Sequence, residues 1–155
     1  MIFVTIGTHT DQFDRLIRRI DEIALKIKEE IIVQRGFTKY VPKNVKYFEF
    51  TEDMDKYYKK ARIVIAQSAT SLIEFILKYD KPVITVPRES KYHEHINDHQ
   101  VEFAEYFAKK ANVLVIRNIN YLTPQLLIKY NKKPKIDLNG LYSLQEKIKN
   151  VIDSI

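Results

Sequence analysis

The sequence contains no cysteine and only three glycines among its 155 residues. Without cysteine, the chain has no disulfide framework, no thiol nucleophile and no cysteine-bound zinc site. Neither the phosphate-loop pattern GxxxxGK[ST] nor the dinucleotide pattern GxGxxG occurs, and so few glycines argue against a generic dinucleotide-binding fold. The N-terminus has no basic signal-peptide start and no apolar run long enough to cross a bilayer, so we expect a cytoplasmic protein.

The charge is unbalanced towards the basic side, with 26 basic and 20 acidic residues giving a net charge of +6. Such an excess suits nucleic acid, an anionic membrane face or phosphate-bearing ligands, and charge alone does not choose among them. No RNA-recognition, KH or zinc-finger motif is present, so nucleic acid is disfavoured as a partner. The length and the 45% hydrophobic content indicate one domain, residues 1–155, with a substantial core.

Short apolar and β-branched runs alternate with segments whose apolar residues recur at helical spacing. The runs predict strands at residues 1–6, 31–34, 45–50, 63–66, 82–86 and 113–116. This alternation predicts an α/β fold with a doubly wound, mainly parallel, Rossmann-like sheet of about six strands. Right-handed crossovers favour the strand order 3-2-1-4-5-6, which makes strands one and four neighbours.

Three helical segments carry further expectations. In the first, four cations lie off the apolar stripe and are expected on a solvated face, namely Arg15, Arg18, Arg19 and Lys26. Tyr121 to Tyr130 is expected to be helical. A last helix is predicted from Leu141, Leu144, Ile148, Val151, Ile152 and Ile155, which recur at helical spacing.

Two strand-to-helix turns suit an anion. Gly7 and Thr8 follow the first strand, and residues 68–71, rich in hydroxyl groups, follow the fourth. Free backbone N–H groups and the helix dipole both favour negative charge there. Simple helix capping by Ser and Thr explains either turn alone. Because the two turns belong to neighbouring strands, together they favour a diphosphate site.

Several polar residues beyond these turns have two interpretations. Glu74, in the first turns of an apolar helix, either favours the helix dipole or accepts hydrogen bonds from ribose hydroxyls. His95 and His99 are one helical turn apart, a spacing that zinc sites use, but no third ligand stands at motif spacing and HExxH is absent. The group Asp98, His99 and Gln100 fits better as fixed hydrogen-bonding partners of a polyhydroxylated ligand.

Three segments in order carry a family resemblance: IFVTIGT at residues 2–8 with FDRL at 13–16, KPVITVPR at 81–88, and NDHQ at 97–100. They resemble the C-terminal, UDP-sugar-binding half of the inverting GT-B glycosyltransferases of family 28. More closely, they resemble the short cytosolic subunits that consist of that half alone. The resemblance covers about residues 1–110 and more loosely the C-terminal helix.

The resemblance implies a set of ligand-binding residues. Those implied to bind UDP are Gly7, Thr8, Phe50, Thr51, Ser68, Ala69, Thr70, Ser71 and Glu74, and those implied to bind the sugar are Arg88, Asp98, His99 and Gln100. Residues 68–71 would cradle the diphosphate, Glu74 would hold the ribose, and Phe50 with Thr51 would frame the uracil. One departure stands at residues 67–70, where family members usually have a histidine and glycines.

The resemblance also implies an activity. The chain would transfer a hexose or N-acetylhexosamine from UDP to a lipid-linked acceptor, with inversion and without a metal or other cofactor. A separate membrane-anchored, acceptor-binding subunit would bring it to the inner face of the membrane. No catalytic base can be assigned from the sequence, and that partner is a candidate to supply it. The alternatives are a non-catalytic nucleotide-binding module and a histidine-metal hydrolase.

Overall fold

The structure is a computed structural model in which residues 1–135 are described. The strands are β1 (Ile2–Thr5), β2 (Ile31–Gln34), β3 (Lys46–Phe48), β4 (Ile63–Ala66), β5 (Val83–Thr85) and β6 (Leu114–Val115). The α-helices are α1 (Asp14–Ala24), α2 (Asp55–Lys60), α3 (Ser71–Tyr79), α4 (His99–Ala111) and α5 (Pro124–Lys129). Two short 3₁₀ helices span Ser90–Tyr92 and Ile119–Tyr121.

The six strands form one parallel sheet in the order β3-β2-β1-β4-β5-β6. This confirms the predicted fold class and strand order. Ile2 of β1 pairs with Ile31 of β2 on one side and with Ile63 of β4 on the other. The central strands β1 and β4 are buried along their whole length, which explains why they are continuous apolar runs.

Two apolar clusters cover the two faces of the sheet, so that helices pack on both sides. On one face, Val4 of β1 belongs to a cluster with Ile17 of α1 and Leu127 of α5. On the other face, Phe3 belongs to a cluster with Phe75 of α3. Because successive residues of a strand point to opposite faces, β1 contributes to both clusters. The sheet therefore holds the turns after β1 and β4 side by side at its carboxyl edge.

The first helix differs from expectation at two of its cations. Arg15 donates from Nε and Nη2 to the two carboxylate oxygens of Glu94, at 2.9 and 2.8 Å, and from Nη2 to the carbonyl oxygen of Pro87. Arg19 donates from Nε to the carbonyl oxygen of Leu122 at 2.8 Å. The prediction of a solvated face is therefore wrong for these two residues, because each reaches across to another segment.

The C-terminal part of the described chain is less regular than predicted. The expected helix at 121–130 is instead a 3₁₀ turn followed by α5, which starts at Pro124 with Thr123 accepting the Leu126 N–H at 3.1 Å. Proline at the first helical position and a threonine cap are typical of a helix start. The predicted last helix, with Leu141 to Ile155, lies outside the described residues. Within residues 1–135, no helix has the length and apolar character needed to span a membrane.

Candidate functional site

A cleft of about 850 Å³ opens at the carboxyl edge of the sheet, above the turns that follow β1 and β4. The residues that line it are Thr5, Gly7, Thr8, His9, Thr10, Gln34, Phe50, Thr51, Met54, Tyr58, Gln67, Ser68, Ala69, Thr70, Ser71, His95 and Gln100. The two turns proposed from the sequence therefore line one cleft. All eight residues expected there from the turns and from β3 are among the lining residues, together with Gln100.

The first turn requires glycine at position 7 for two reasons. Gly7 has a φ of +70°, in the left-handed region that side-chain-bearing residues rarely adopt. A Cβ added there would also lie 2.1 Å from Nε2 of Gln67, which packs directly over the turn. The turn after β1 and the turn after β4 are therefore in contact, and the contact depends on the absence of a side chain at Gly7.

A chain of polar groups forms the floor of the cleft beneath Gly7. The Thr5 hydroxyl donates to Oε1 of Gln34, whose Nε2 in turn donates to the carbonyl oxygen of Gly7 at 3.2 Å. Tyr58 contributes to the same floor, and burial raises the pKa of its phenol while a hydrogen bond with Thr5 opposes the rise. The sequence analysis missed these residues, although alternation along β1 and β2 could have placed Thr5 and Gln34 together.

The turn after β4 presents its backbone, rather than the Ser68 hydroxyl, to the cleft. The Thr85 hydroxyl donates to the carbonyl oxygen of Ala66 at 3.1 Å, so the buried Ser68 hydroxyl, 2.7 Å away, must donate to Thr85. Thr70 stands at the N-cap of α3, and its side chain makes no capping hydrogen bond. The N–H groups of Leu72 and Ile73 donate to the carbonyl oxygens of Ala69 and Thr70, at 2.9 and 3.0 Å. The N–H groups that this helix start offers to the cleft are therefore those of the exposed residues Thr70 and Ser71.

An aromatic pair marks the β3 side of the cleft. Phe50 is 44% exposed, and its ring centroid lies 4.9 Å from that of Phe37, which is also exposed. An exposed, cleft-lining aromatic ring offers a flat apolar face to a planar group. Glu74 does not line the main cleft but an adjoining pocket of about 350 Å³, which shares Met54, Tyr58 and Ser71 with it.

Arg88 corrects an expectation, because the side chain implied to bind the sugar is fully buried. Its guanidinium donates to Oε1 of Gln67 at 2.7 Å and to four carbonyl oxygens, those of Ile6, Asp11, Gln12 and Glu94, at 2.9–3.2 Å. It also lies 4.7 Å from the centroid of the Phe13 ring. Arg88 is not among the cleft-lining residues and instead ties together the segments that form the cleft.

The three polar residues at the start of α4 are not equivalent. Gln100 lines the cleft and accepts the Arg88 N–H through Oε1 at 3.1 Å. Asp98 and His99 are exposed and do not line the cleft. Asp98 accepts the Ser90 N–H at 2.8 Å, a bond that lowers the pKa of its carboxyl, and makes no capping bond to α4. Of these three residues, Gln100 alone is placed to reach a ligand in the cleft.

Two histidines, His9 after β1 and His95 before α4, also line the cleft with their rings 4.9 Å apart. His9 was not proposed from the sequence, and His95 was weighed only as a metal ligand. Within residues 1–135, no group of three or more His, Cys, Asp or Glu side chains could hold a metal ion. The metal-site hypothesis for His95 and His99 therefore lacks the further ligand it needs.

The fold and the cleft define a Rossmann-like domain of the type found as the C-terminal half of GT-B glycosyltransferases. The model of the glycosyltransferase family 28 C-terminal domain matches residues 1–151. The chain therefore belongs to this family, and the resemblance inferred from the three sequence segments is confirmed.

Individual relatives agree with this assignment. A UDP-N-acetylglucosamine–N-acetylmuramyl-(pentapeptide) pyrophosphoryl-undecaprenol N-acetylglucosamine transferase of Desulfotalea psychrophila is 30% identical over 78 residues, which are 50% of this chain and 20% of that protein. Acinetobacter baumannii MurG superposes with a TM-score of 0.57 at 18% identity, covering 82% of this chain and 38% of MurG. SnogD from Streptomyces nogalater gives 0.56 at 16% identity, covering 90% and 35%. The chain thus spans between a fifth and two fifths of these relatives.

Proposed function

We propose that this chain is the UDP-sugar-binding subunit of an inverting glycosyltransferase that transfers a hexose or N-acetylhexosamine to a lipid-linked acceptor. The observation that carries the proposal is the start of α3, which has no side-chain cap and faces the same cleft as the Gly7 turn. Backbone N–H groups and a helix dipole converging on one place form a site for a diphosphate. Membership of a glycosyltransferase family supports a sugar nucleotide as the source of that diphosphate.

The strand order gives the donor a direction across the cleft. Phe50 and Thr51 follow β3 at one end, the Gly7 and Ser68 turns lie in the middle, and Gln100 stands beyond β5 at the other end. In the proposed pose the uracil lies against Phe50, the diphosphate on the two turns, and the sugar beside Gln100. In this pose we assign the ribose hydroxyls to Glu74, which lines the adjoining pocket.

The proposed chemistry uses the helix start rather than a metal ion. As the bond between the sugar and the diphosphate breaks, negative charge accumulates on the leaving UDP. Fixed N–H dipoles at the start of α3 stabilise that charge without having to reorganise during the reaction. The acceptor hydroxyl attacks the opposite face of the anomeric carbon, and a general base takes its proton.

The acceptor and the base are proposed to come from a second, membrane-anchored polypeptide. The Desulfotalea psychrophila relative is named as a transferase acting on a pyrophosphoryl-undecaprenol acceptor, which is a lipid-linked acceptor. The stretch matched by this chain is 20% of that protein's length, and we propose that the acceptor binds to a separate partner. The complex would work at the cytoplasmic face of the membrane, with this chain held there peripherally through the partner.

A second candidate function is a nucleotide-binding module without chemistry of its own. It is favoured by one observation: no aspartate or glutamate is among the described residues that line the cleft. A carboxylate is a common general base in enzymes. The described residues that line the cleft can therefore bind a ligand but offer no carboxylate to take a proton.

Co-expression with a candidate membrane-anchored partner, followed by a screen of UDP-sugars on lipid acceptor, separates the two. The enzyme proposal predicts transfer by the complex and little or none by either polypeptide alone. Gln100→Ala should lower the transfer rate roughly tenfold while UDP affinity changes little, because its role is to position the sugar. The variant also removes the acceptor of the buried Arg88 N–H and should lower the melting temperature, so the rates are compared well below that temperature. Glu102→Gln, on the exposed face of the same helix, is the matched control. UDP binding with no transfer by any complex would favour the binding module.

A further inference from the structure

His9 and His95 line the cleft but have no part in the mechanism above. Among the described lining residues there is no lysine, arginine, aspartate or glutamate. His9 and His95 are therefore the only side chains on that wall that can carry a positive charge. A UDP-sugar brings a dianionic diphosphate, so a cleft that binds it needs compensating donors or charge.

The hydrogen bonds of the two rings indicate which nitrogen of each neutral imidazole carries the proton. Nδ1 of His9 accepts the Asp11 N–H at 3.2 Å, and Nδ1 of His95 accepts the Asn97 N–H at 3.4 Å. An accepting Nδ1 carries no proton, so each neutral imidazole carries its proton on Nε2. Each neutral ring thus leaves an Nε2–H donor free of these backbone contacts. Nδ1 of His9 also lies 3.5 Å from Oδ2 of Asp11.

The position of the two histidines indicates which part of the ligand they would contact. His9 belongs to the turn after β1 and His95 to the segment between β5 and α4, so the rings meet across the turn that follows β4, which lies between them in the sheet order. In the sheet order the pair lies on the side of the cleft that leads from the β4 turn towards Gln100, away from Phe50 after β3. In the proposed pose this is where the β-phosphate joins the sugar.

We infer that His9 and His95 form a paired imidazole site that donates two Nε2–H hydrogen bonds to the β-phosphate of the bound UDP-sugar. The inference rests on the proposed function, since it assigns residues within the same cleft. It gives the leaving group side-chain donors in addition to the backbone N–H groups of α3. It also means that the β1 turn and the β5–α4 segment contact the same phosphate.

The test compares the binding of UDP, UMP and uridine to the full-length chain by calorimetry. In the His9→Phe, His95→Phe double variant the rings remain but the donors are lost. Its dissociation constant for UDP should rise roughly tenfold or more, as expected for lost hydrogen bonds to a charged group. Its dissociation constants for uridine and for UMP, which lacks the β-phosphate, should stay unchanged. The His9→Gln, His95→Gln double variant keeps an amide donor near the position of each Nε2 and should recover most of the UDP affinity.

His93→Asn is the matched control. His93 is exposed, lies in the same segment as His95, does not line the cleft, and has a φ of +55° that asparagine tolerates well. This variant should bind UDP as the unmodified chain does. The single variants His9→Phe and His95→Phe, checked by melting temperature, keep the test valid should the double variant fold poorly.

Three results would overturn the inference. Unchanged UDP affinity in the phenylalanine variants would show that the imidazoles do not contact the phosphate. Equal losses for UDP and uridine would show that the rings only support the cleft. Lost transfer in the partner complex with unchanged UDP affinity would assign the histidines to proton transfer instead. Absence of UDP binding to the unmodified chain is a separate result, which refutes the proposed function itself.

Discussion

Replacing Arg88 by methionine should lower the free energy of unfolding of the chain, and not only weaken the binding of the sugar. The side chain is fully buried, and burial lowers the pKa of its guanidinium to about 10, so it is still charged at neutral pH. The cation joins three segments: the end of β1 and its turn through Ile6, Asp11 and Gln12, the β4 turn through Gln67, and the segment before α4 through Glu94. Methionine fills a similar volume but donates no hydrogen bond.

The size of the loss follows from the acceptors left behind. Arg88→Met leaves five oxygens without this donor, and each buried acceptor so orphaned costs about 1–3 kcal/mol when water cannot replace the donor. The Asp11 and Gln12 carbonyls are only partly buried and can bind water, so the five costs do not add. We expect a loss of about 3–5 kcal/mol from the three buried acceptors, which are the carbonyl oxygens of Ile6 and Glu94 and Oε1 of Gln67. Arg88→Lys keeps the positive charge but lacks the planar guanidinium, so its free energy of unfolding should lie between those of the unmodified chain and of Arg88→Met.

Urea unfolding of the full-length chain, followed by circular dichroism, measures this loss. Arg18→Met is the matched control, because Arg18 is exposed and reaches Asp14 only at 3.5 Å. The free energy of unfolding of the control should fall by less than about 1 kcal/mol. If Arg88→Met unfolds at the same urea concentration as the control but loses UDP-sugar affinity, Arg88 contacts the ligand and its assignment as a structural cation is wrong.

Three further predictions follow from the same contacts. Gly7→Ala should destabilise the chain by about 1–3 kcal/mol because of its positive φ and its approach to Gln67, and Gln67→Ala should relieve part of that loss in the double variant; urea unfolding of the four chains measures this. Asp21→Asn should cost about 1–3 kcal/mol at pH 7, because the Asp21 carboxylate accepts the Tyr40 hydroxyl and two backbone N–H groups that lower its pKa. That contribution is present above the ordinary aspartate pKa near 4 and is lost as the pH falls through the lowered value, so the difference in unfolding free energy between the two chains should shrink steadily as the pH is lowered from that point; a difference that stays constant would contradict the assignment. Glu74→Ala should weaken UDP by about 1.5–3 kcal/mol and deoxy-UDP by less in calorimetry, and equal losses would show that Glu74 only supports its helix.

The fold was largely predictable because its information is local. The runs at β1 and β4 are apolar throughout, which is typical of strands covered by helices on both faces. The handedness of crossovers then restricted the strand order to the one observed. Strands β1, β3, β5 and β6 were each predicted two or three residues too long, because an apolar run continues past the last residue that pairs with a neighbouring strand, and the extent of pairing is not encoded in the run itself.

The site was predictable only in part, for a different reason. The Gly7 and Ser68 turns follow strands and precede helices, so topology alone placed them in one cleft. The burial of Arg88 could not be inferred, since an arginine after a strand reads as a ligand-binding group until its five acceptors from distant segments are seen. Arg15 was misplaced likewise, because its partner Glu94 lies 79 residues away in the sequence.

The His9 and His95 pair was missed because no sequence pattern connects the two residues. His95 stands close to His93 and His99, and this proximity suggested a metal site along the chain. The structure instead places its ring 4.9 Å from that of His9, which belongs to a turn 86 residues earlier. Contacts between segments so far apart become visible only once the strand order has brought them together.

The most direct test of the central claim is the affinity of the full-length chain for UDP and for uridine, measured side by side by calorimetry. If the Gly7 turn and the start of α3 bind a diphosphate, UDP should bind at least about tenfold more tightly than uridine, a difference of about 1.4 kcal/mol. Equal affinities for UDP and uridine, or no binding of either, would contradict the claim that this cleft is built for a sugar nucleotide.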